Sequence, residues 1–92
     1  MSSENLSYDE AEELLQELPP SAKLAYKVLE ENNSEMTRDQ LLDETLLEGR
    51  TLSDAVTRLE EEGIAYRRSN PMEHKEKLNG LNLEEFPDPF QY

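Results

Sequence analysis

Residues 49–63, GRTLSDAVTRLEEEG, carry the most regular helical pattern in the chain. The apolar residues in this segment stand at i, i+3, i+4 and i+7, the spacing that places side chains on one face of a helix. They are Leu52, Ala55, Val56 and Leu59. Gly63 follows just past the last turn, where glycine commonly ends a helix. The pattern predicts a helix over about residues 49–62, with one buried face and one polar face. Its start stays open, because either Glu48, or Thr51 together with Asp54, fits the cap.

The preceding helix has a clear start signal. Residues 37–40 fit the T-x-x-Q capping box, and Met36 and Leu41 occupy the two positions of a hydrophobic staple. We expect this helix to end near Leu47. A four-residue connection, residues 48–51, then leads into the next helix.

Two further helices are predicted nearer the N-terminus. Residues 7–10 have the S-x-x-E form of a capping box, and an apolar stripe follows as far as Leu18. Pro19 and Pro20 interrupt this helix, because proline has no N–H to donate. A first turn accepts proline, so a second helix is expected to begin near Pro20.

After Gly63 the apolar period changes to two. Residues 64–68 are typical of a short strand, with Ile64 and Tyr66 on one face. Residues 69–71 have turn chemistry, and a second strand is expected at roughly residues 75–81. Together they predict a two-stranded ribbon.

The order of these elements is that of a winged helix-turn-helix, in which the second helix of the motif enters the major groove of DNA. We therefore predict a mainly α fold with a small β-ribbon, having about four helices and a two-stranded wing. Three segments are expected: an N-terminal helix in residues 1–17, the winged helix-turn-helix in residues 18–81 and a tail in residues 82–92. The predicted core consists of Leu24, Val28, Leu29, Leu41, Leu46, Leu52, Val56, Leu59 and Ile64.

Composition excludes several classes of protein. The chain has 92 residues with 22 Asp and Glu against 9 Lys and Arg, a net charge of −13, and only 35% of its residues are apolar. Without cysteine it cannot form disulfides, and a single histidine leaves structural zinc without its usual ligands. No long apolar run or signal peptide is found, so we expect a cytoplasmic protein with no membrane partner. Since no catalytic motif is present either, neither an enzyme nor a cofactor is expected.

Basic residues are concentrated in the centre of the chain. Most lie on the helix predicted at about residues 49–62, which is the recognition helix of the motif, or on the wing. The predicted DNA-binding residues are Arg38, Arg50, Thr51, Ser53, Asp54, Thr57, Arg58, Arg67, Arg68, Lys75 and Lys77. Asp54 is included because a carboxylate accepts a hydrogen bond from the cytosine amino group. The predicted function is sequence-specific binding of double-stranded DNA by residues 49–62 and 64–81. Two alternatives stay open: an ordinary solvated face, or an acidic winged-helix module that binds proteins and not DNA.

Three segments also resemble a known family. Residues 18–29 (LPPSAKLAYKVL), 36–42 (MTRDQLL) and 45–64 (TLLEGRTLSDAVTRLEEEGI) are similar to the first core helix, the second helix and the turn–recognition-helix region of archaeal winged-helix regulators of the MarR and TrmB type. The resemblance covers about residues 18–81. It implies a DNA-binding transcription regulator, often a dimer.

Two expectations concern assembly and environment. The first helix and the apolar tail residues Leu83, Phe86 and Phe90 have no place in a minimal winged helix, so we expect a homodimer to bury them. The tail is otherwise either loose or an apolar strap. Excess glutamate, scarce lysine and a small apolar fraction resemble the proteins of salt-loving archaea, with cations at the acidic surface.

Overall fold

Local sequence signals set most of the helix bounds in the computed structural model, which describes residues 5–84 and residue 86. Four helices lie in these residues: α1 (Tyr8–Leu15), α2 (Pro20–Asn32), α3 (Arg38–Thr45) and α4 (Gly49–Glu61). Three strands accompany them: β1 (Met36–Thr37), β2 (Ala65–Asn70) and β3 (Glu73–Leu81). None of these helices is long and apolar enough to cross a membrane.

Both predicted capping boxes are confirmed. At the start of α1, Glu10 N donates to Ser7 Oγ at 3.2 Å and Ser7 N donates to Glu10 Oε1 at 3.0 Å. At the start of α3, Gln40 N donates to Thr37 Oγ1 at 3.1 Å and Thr37 N donates to Gln40 Oε1 at 2.9 Å. These paired bonds satisfy N–H groups that would otherwise lack a partner in the first turn.

The helix ends differ in part from the prediction. Gly63 closes α4 with a φ of 77°, as expected. α3, however, ends at Thr45, because Leu46 adopts a left-handed conformation with a φ of 60°. Leu46 is then 87% exposed and Leu24 is 38% exposed, so the prediction that both lie in the core is wrong. Leu47, the next residue, packs against the core instead.

The sheet has one strand more than the predicted ribbon. β2 and β3 form the expected antiparallel wing, and β1 pairs with the other edge of β3, giving the order β1-β3-β2. In this pairing Met36 lies opposite Asn79, whose buried amide donates to Met36 O at 3.2 Å. β1 therefore connects the base of the wing to the start of α3.

The first helix and the tail complete the core of the single chain. Ala11 is fully buried, Leu83 is 1% exposed and Phe86 is 6% exposed. Leu6 and Leu83 form a parallel bridge, in which Leu6 N donates to Asn82 O at 2.6 Å. The tail thus forms an apolar strap at Leu83 and Phe86, and the expectation that Ala11, Leu83 and Phe86 need a second chain to be buried is wrong. Phe90 lies outside the described residues.

Candidate nucleic-acid interface

The outward face of α4 is polar and exposed, while its apolar stripe packs against the core. Leu52, Ala55, Val56 and Leu59 are at most 6% exposed. The side chains on the other side are largely exposed: Arg50, Ser53, Asp54, Thr57 and Arg58, with Thr51 half-buried. This arrangement leaves a polar helix face free to contact a partner.

The N-terminal end of α4 is held by an arginine from α3. Arg38 Nη1 donates to Ser53 Oγ at 2.6 Å, and its Nη2 donates to Gly49 O at 2.9 Å. A Cβ at Gly49 would lie 2.8 Å from Arg38 Nη2, so the arginine head would have to shift to accommodate one. The guanidinium is exposed, so Arg38 both joins the two helices and places positive charge at the start of α4.

The first turn of α4 lacks a side-chain cap. Its N-cap residue, Glu48, makes no hydrogen bond from its side chain to the helix. Backbone N–H groups of the first turn are therefore available to an anion, with Arg38 and Arg50 beside them. Among the described residues Arg50 has no ion-pair partner.

The wing separates its basic residues between two faces. Consecutive strand residues point to opposite sides, so Arg67 and Arg68 cannot share one. Lys77 lies opposite Ser69 and donates to its Oγ at 3.1 Å, which places Lys77 on the Arg67 side. Lys75, two residues before Lys77, lies on this side too.

A groove lies between the helices and this face of the wing. Its volume is about 260 Å³. Its rim carries four of the predicted basic residues: Arg38, Arg67, Lys75 and Lys77. Apolar lining comes from Leu41, Leu52 and Val56, and Ser53 belongs to both the groove and the α4 face. The structure thus brings these four basic residues close to the predicted recognition helix.

Acidic residues are interspersed with these cations. Arg67 Nε lies 3.3 Å from Glu60 Oε2, and Arg58 Nε lies 3.9 Å from Glu61 Oε1. Both partners of the Arg58–Glu61 pair are largely exposed, so this pair is screened by solvent and easily exchanged for a phosphate. In the other pair Glu60 is only 24% exposed and its Oε2 is buried, so Arg67 is held more firmly. Asp39 and Glu76 also line the groove.

Arg68 lies apart from the groove and pairs with a carboxylate that sequence reasoning did not identify. Arg68 Nε and Nη2 donate to Glu35 Oε2 and Oε1 at 2.8 and 2.7 Å. The Tyr66 hydroxyl donates to Glu35 Oε2 at 2.6 Å. The Arg68 hydrogen bonds, and the one from Tyr66, lower the pKa of Glu35 against the opposing effect of burial. No local pattern signals this contact, because 31 and 33 residues separate the partners.

Comparison with solved structures identifies the fold. A probable transcriptional regulator from Pseudomonas aeruginosa is 23% identical, with a TM-score of 0.67 over 79% of this chain and 58% of that one. The PcaV transcriptional regulator from Streptomyces coelicolor, solved with its natural ligand, is 16% identical, with a TM-score of 0.66 over 79% and 55%. A mutant of S. aureus MepR bound to an oligodeoxyribonucleotide is 20% identical, with a TM-score of 0.66 over 85% and 63%.

These similarities are structural. No protein-family model and no curated protein sequence matches the chain. The chain spans less than two thirds of the length of these three structures. With identities below 25%, they show that the chain has a winged-helix fold, as the sequence pattern predicted.

Proposed function

We propose that this protein is a transcription regulator that binds double-stranded DNA with α4 and the β2–β3 wing. The observation that carries the proposal is the groove, where basic residues from α3 and from the wing meet α4 at Ser53. Asp54, Thr57 and Arg58 of the exposed α4 face line a separate depression, with Pro19 and Ser21. MepR, which shares the fold, has been solved with an oligodeoxyribonucleotide. A helix with an uncapped N-terminus and flanking arginines offers both base contacts and phosphate contacts.

The residues divide by role. On α4, Arg50, Ser53, Asp54 and Thr57 face outward and are proposed to contact base edges, with an arginine suited to guanine and a carboxylate to cytosine. Phosphate contacts are proposed for most of the remaining members of the site: Arg38, Thr51, Arg58, Arg67, Lys75 and Lys77. Arg68, which the sequence predicted to belong with them, is bound to Glu35 on the other face of the wing. Phosphates take most hydrogen bonds in protein–DNA complexes, so the larger group is assigned to them.

Arg50 gives the sharpest test, because it lies at the start of α4 without an ion-pair partner among the described residues. Arg50→Gln is expected to weaken binding to a fluorescent duplex about tenfold, the cost of one good base or phosphate contact. Lys23→Gln is the matched control, since it removes one exposed positive charge from α2. Equal affinities for the two variants would place the DNA elsewhere on the molecule.

The second candidate is a protein-binding winged-helix module. It is favoured by the acids on the interface itself, where Glu60 and Glu61 already pair with Arg67 and Arg58. The two functions are separated by adding duplex DNA and following the amide signals of α4 and the wing. Absence of any shift over a wide range of salt concentration would favour the module.

We also propose that the protein is related to haloarchaeal regulators of the MarR or TrmB type, that it acts in the cytoplasm and that it forms a homodimer. The homodimer draws support from the two-fold symmetry of many DNA sites bound by helix-turn-helix proteins. Ala11, Leu15, Leu83 and Phe86 give it no support, because they are buried within one chain. Sedimentation of residues 1–92 at high micromolar concentration tests it, and a monomer there would exclude it.

A further inference from the structure

The Glu35–Arg68–Tyr66 cluster joins two parts of the chain that are distant in sequence. Glu35 lies in the loop between α2 and β1, whereas Tyr66 and Arg68 lie on one face of β2. The Glu35 and Arg68 side chains are only 15% and 26% exposed. A two-bond arginine–carboxylate pair fixes orientation as well as distance, and a shielded pair is held more firmly than an exposed one. The cluster therefore opposes movement of the wing relative to the helices.

Gly80 provides the space for this cluster. It lies opposite Tyr66 in the β2–β3 pairing, and a Cβ at this position would come within 2.4 Å of the Tyr66 ring. The ring thus lies against the backbone of β3, with its hydroxyl on Glu35. Glycine is required here by the close approach of the ring.

Strand alternation links the cluster to the interface. With Arg68 held on one face of β2, Arg67 is presented on the other, where Lys75 and Lys77 also line the groove. We infer that Glu35 is a positioning residue for DNA binding, which holds Arg68 and so orients the wing cations towards the DNA. Arg68 then anchors the wing and makes no phosphate contact. The claim that Glu35 supports DNA binding rests on the proposed function, whereas the claim that Glu35 holds the wing in place does not.

The two roles of Arg68 predict opposite effects of neutralising Glu35. If Arg68 contacts phosphate, losing the carboxylate frees a cation beside the DNA and raises affinity. If Arg68 is an anchor, the same change loosens the wing and lowers affinity. It does so although the protein becomes less negative, a change that by itself favours DNA binding.

Amide hydrogen exchange on the free 92-residue chain tests whether Glu35 holds the wing in place. In Glu35→Gln, amides of β2 and β3 are expected to exchange at least about tenfold faster, since hydrogen bonds to a charged group are lost, while the α4 amides near Leu59 are unchanged. Arg68→Gln should affect the same amides, and the double variant should change less than the two single changes combined. Glu31→Gln, an exposed acid at the end of α2, is the control. Unchanged wing exchange in Glu35→Gln would overturn the inference.

Fluorescence anisotropy with a duplex of random sequence, about 30 base pairs long, tests whether Glu35 supports DNA binding. Glu35→Gln and Arg68→Gln are each expected to weaken binding about threefold to tenfold, with Glu31→Gln no weaker than wild type. Tighter binding by Glu35→Gln together with weaker binding by Arg68→Gln would make Arg68 a phosphate contact and overturn the positioning role. If wild type binds no DNA, the proposed function fails, and the exchange experiment still decides whether Glu35 holds the wing.

Discussion

Leu59 is fully buried on the apolar face of α4, and its replacement tests the orientation of that helix. Leu59→Ala is expected to cost about 2–5 kcal/mol of unfolding free energy, the usual penalty for emptying a buried leucine site. Thr57→Ala, on the exposed face of the same helix, should change stability by less than about 0.5 kcal/mol. Urea unfolding of both variants measures the difference. Equal effects would mean that the buried face of α4 is assigned incorrectly.

Glu35 is expected to make stability depend on pH. Hydrogen bonds from Arg68, and a further one from Tyr66, hold the pKa of Glu35 below its usual range. A carboxylate with a lowered pKa stabilises the fold above the pKa of the unfolded chain, about 4.3 for glutamate, and this contribution is lost as the pH falls through the folded value. Asp43 and Glu44 of α3 line the depression beside Glu35 and are acids themselves.

The measurement is the difference in unfolding free energy between wild type and Glu35→Gln. It should be constant from about pH 7 to about pH 5 and shrink below about pH 4.3, because both proteins then carry a neutral side chain at this position. An advantage of wild type that grows on acidification would contradict the assigned contacts.

Single residues also show where sequence reasoning stops. Leu59 was correctly predicted because the helical period alone determines its face. Leu46 was not, since its left-handed backbone conformation depends on how the turn between α3 and α4 closes. Glu35 carries no signal at all in the sequence, because its role depends on a strand 33 residues away. Local patterns predict local geometry, and contacts distant in sequence need the fold.

At the scale of elements, Gly80 tests how the wing is built. Gly80→Ala is expected to destabilise the wing, because the new Cβ would come within 2.4 Å of the Tyr66 ring and displace it from Glu35. Amides of β2 and β3 should lose protection while those of α4 keep it. In a Tyr66→Ala background the same Gly80→Ala change should have a much smaller effect, since the clash is gone. Equal effects in both backgrounds would show that the glycine serves another purpose.

Elements with strong local signals were predicted, and those made by pairing were predicted only in part. The capping boxes of α1 and α3 and the glycine after α4 lie within a few residues of what they determine. β1 was not predicted, because its two residues are too few to show alternation. They pair with Asn79 and Leu78, which lie far along the chain. The candidate site shows the same division: the α4 face follows from periodicity, whereas the groove requires the packing of the wing.

At the scale of the whole molecule, charge is the dominant feature. The net charge is −13, and even residues 37–77 hold more acids than bases. Exposed acids such as Asp54 and Glu61 lie on the face proposed for DNA. At low salt these groups repel phosphates over long distances, so we expect the proposed DNA binding to need conditions that screen them.

Salt is therefore expected to affect this protein differently from a basic regulator. At about 1 M salt the Debye length is about 3 Å, so acids beyond contact distance no longer repel DNA. An ordinary basic protein releases cations from DNA, and its affinity falls with a slope near −0.9 per phosphate contact. We propose that Asp54 and Glu61 take up cations when this protein binds DNA, an effect of the opposite sign. We expect the affinity of wild type to fall little, or to rise, between about 0.5 and 2 M KCl.

Replacing both acids distinguishes this mechanism from general screening. Asp54→Ala with Glu61→Ala should restore a more negative salt slope, because cation uptake at the interface is removed. A matched pair, Glu13→Ala with Glu17→Ala, removes the same charge from exposed positions in and just after α1 and should leave the slope unchanged. Anisotropy titrations across the salt series give all three slopes. Tight wild-type binding at low salt that declines steeply with added KCl would contradict the role of cations at the acidic surface.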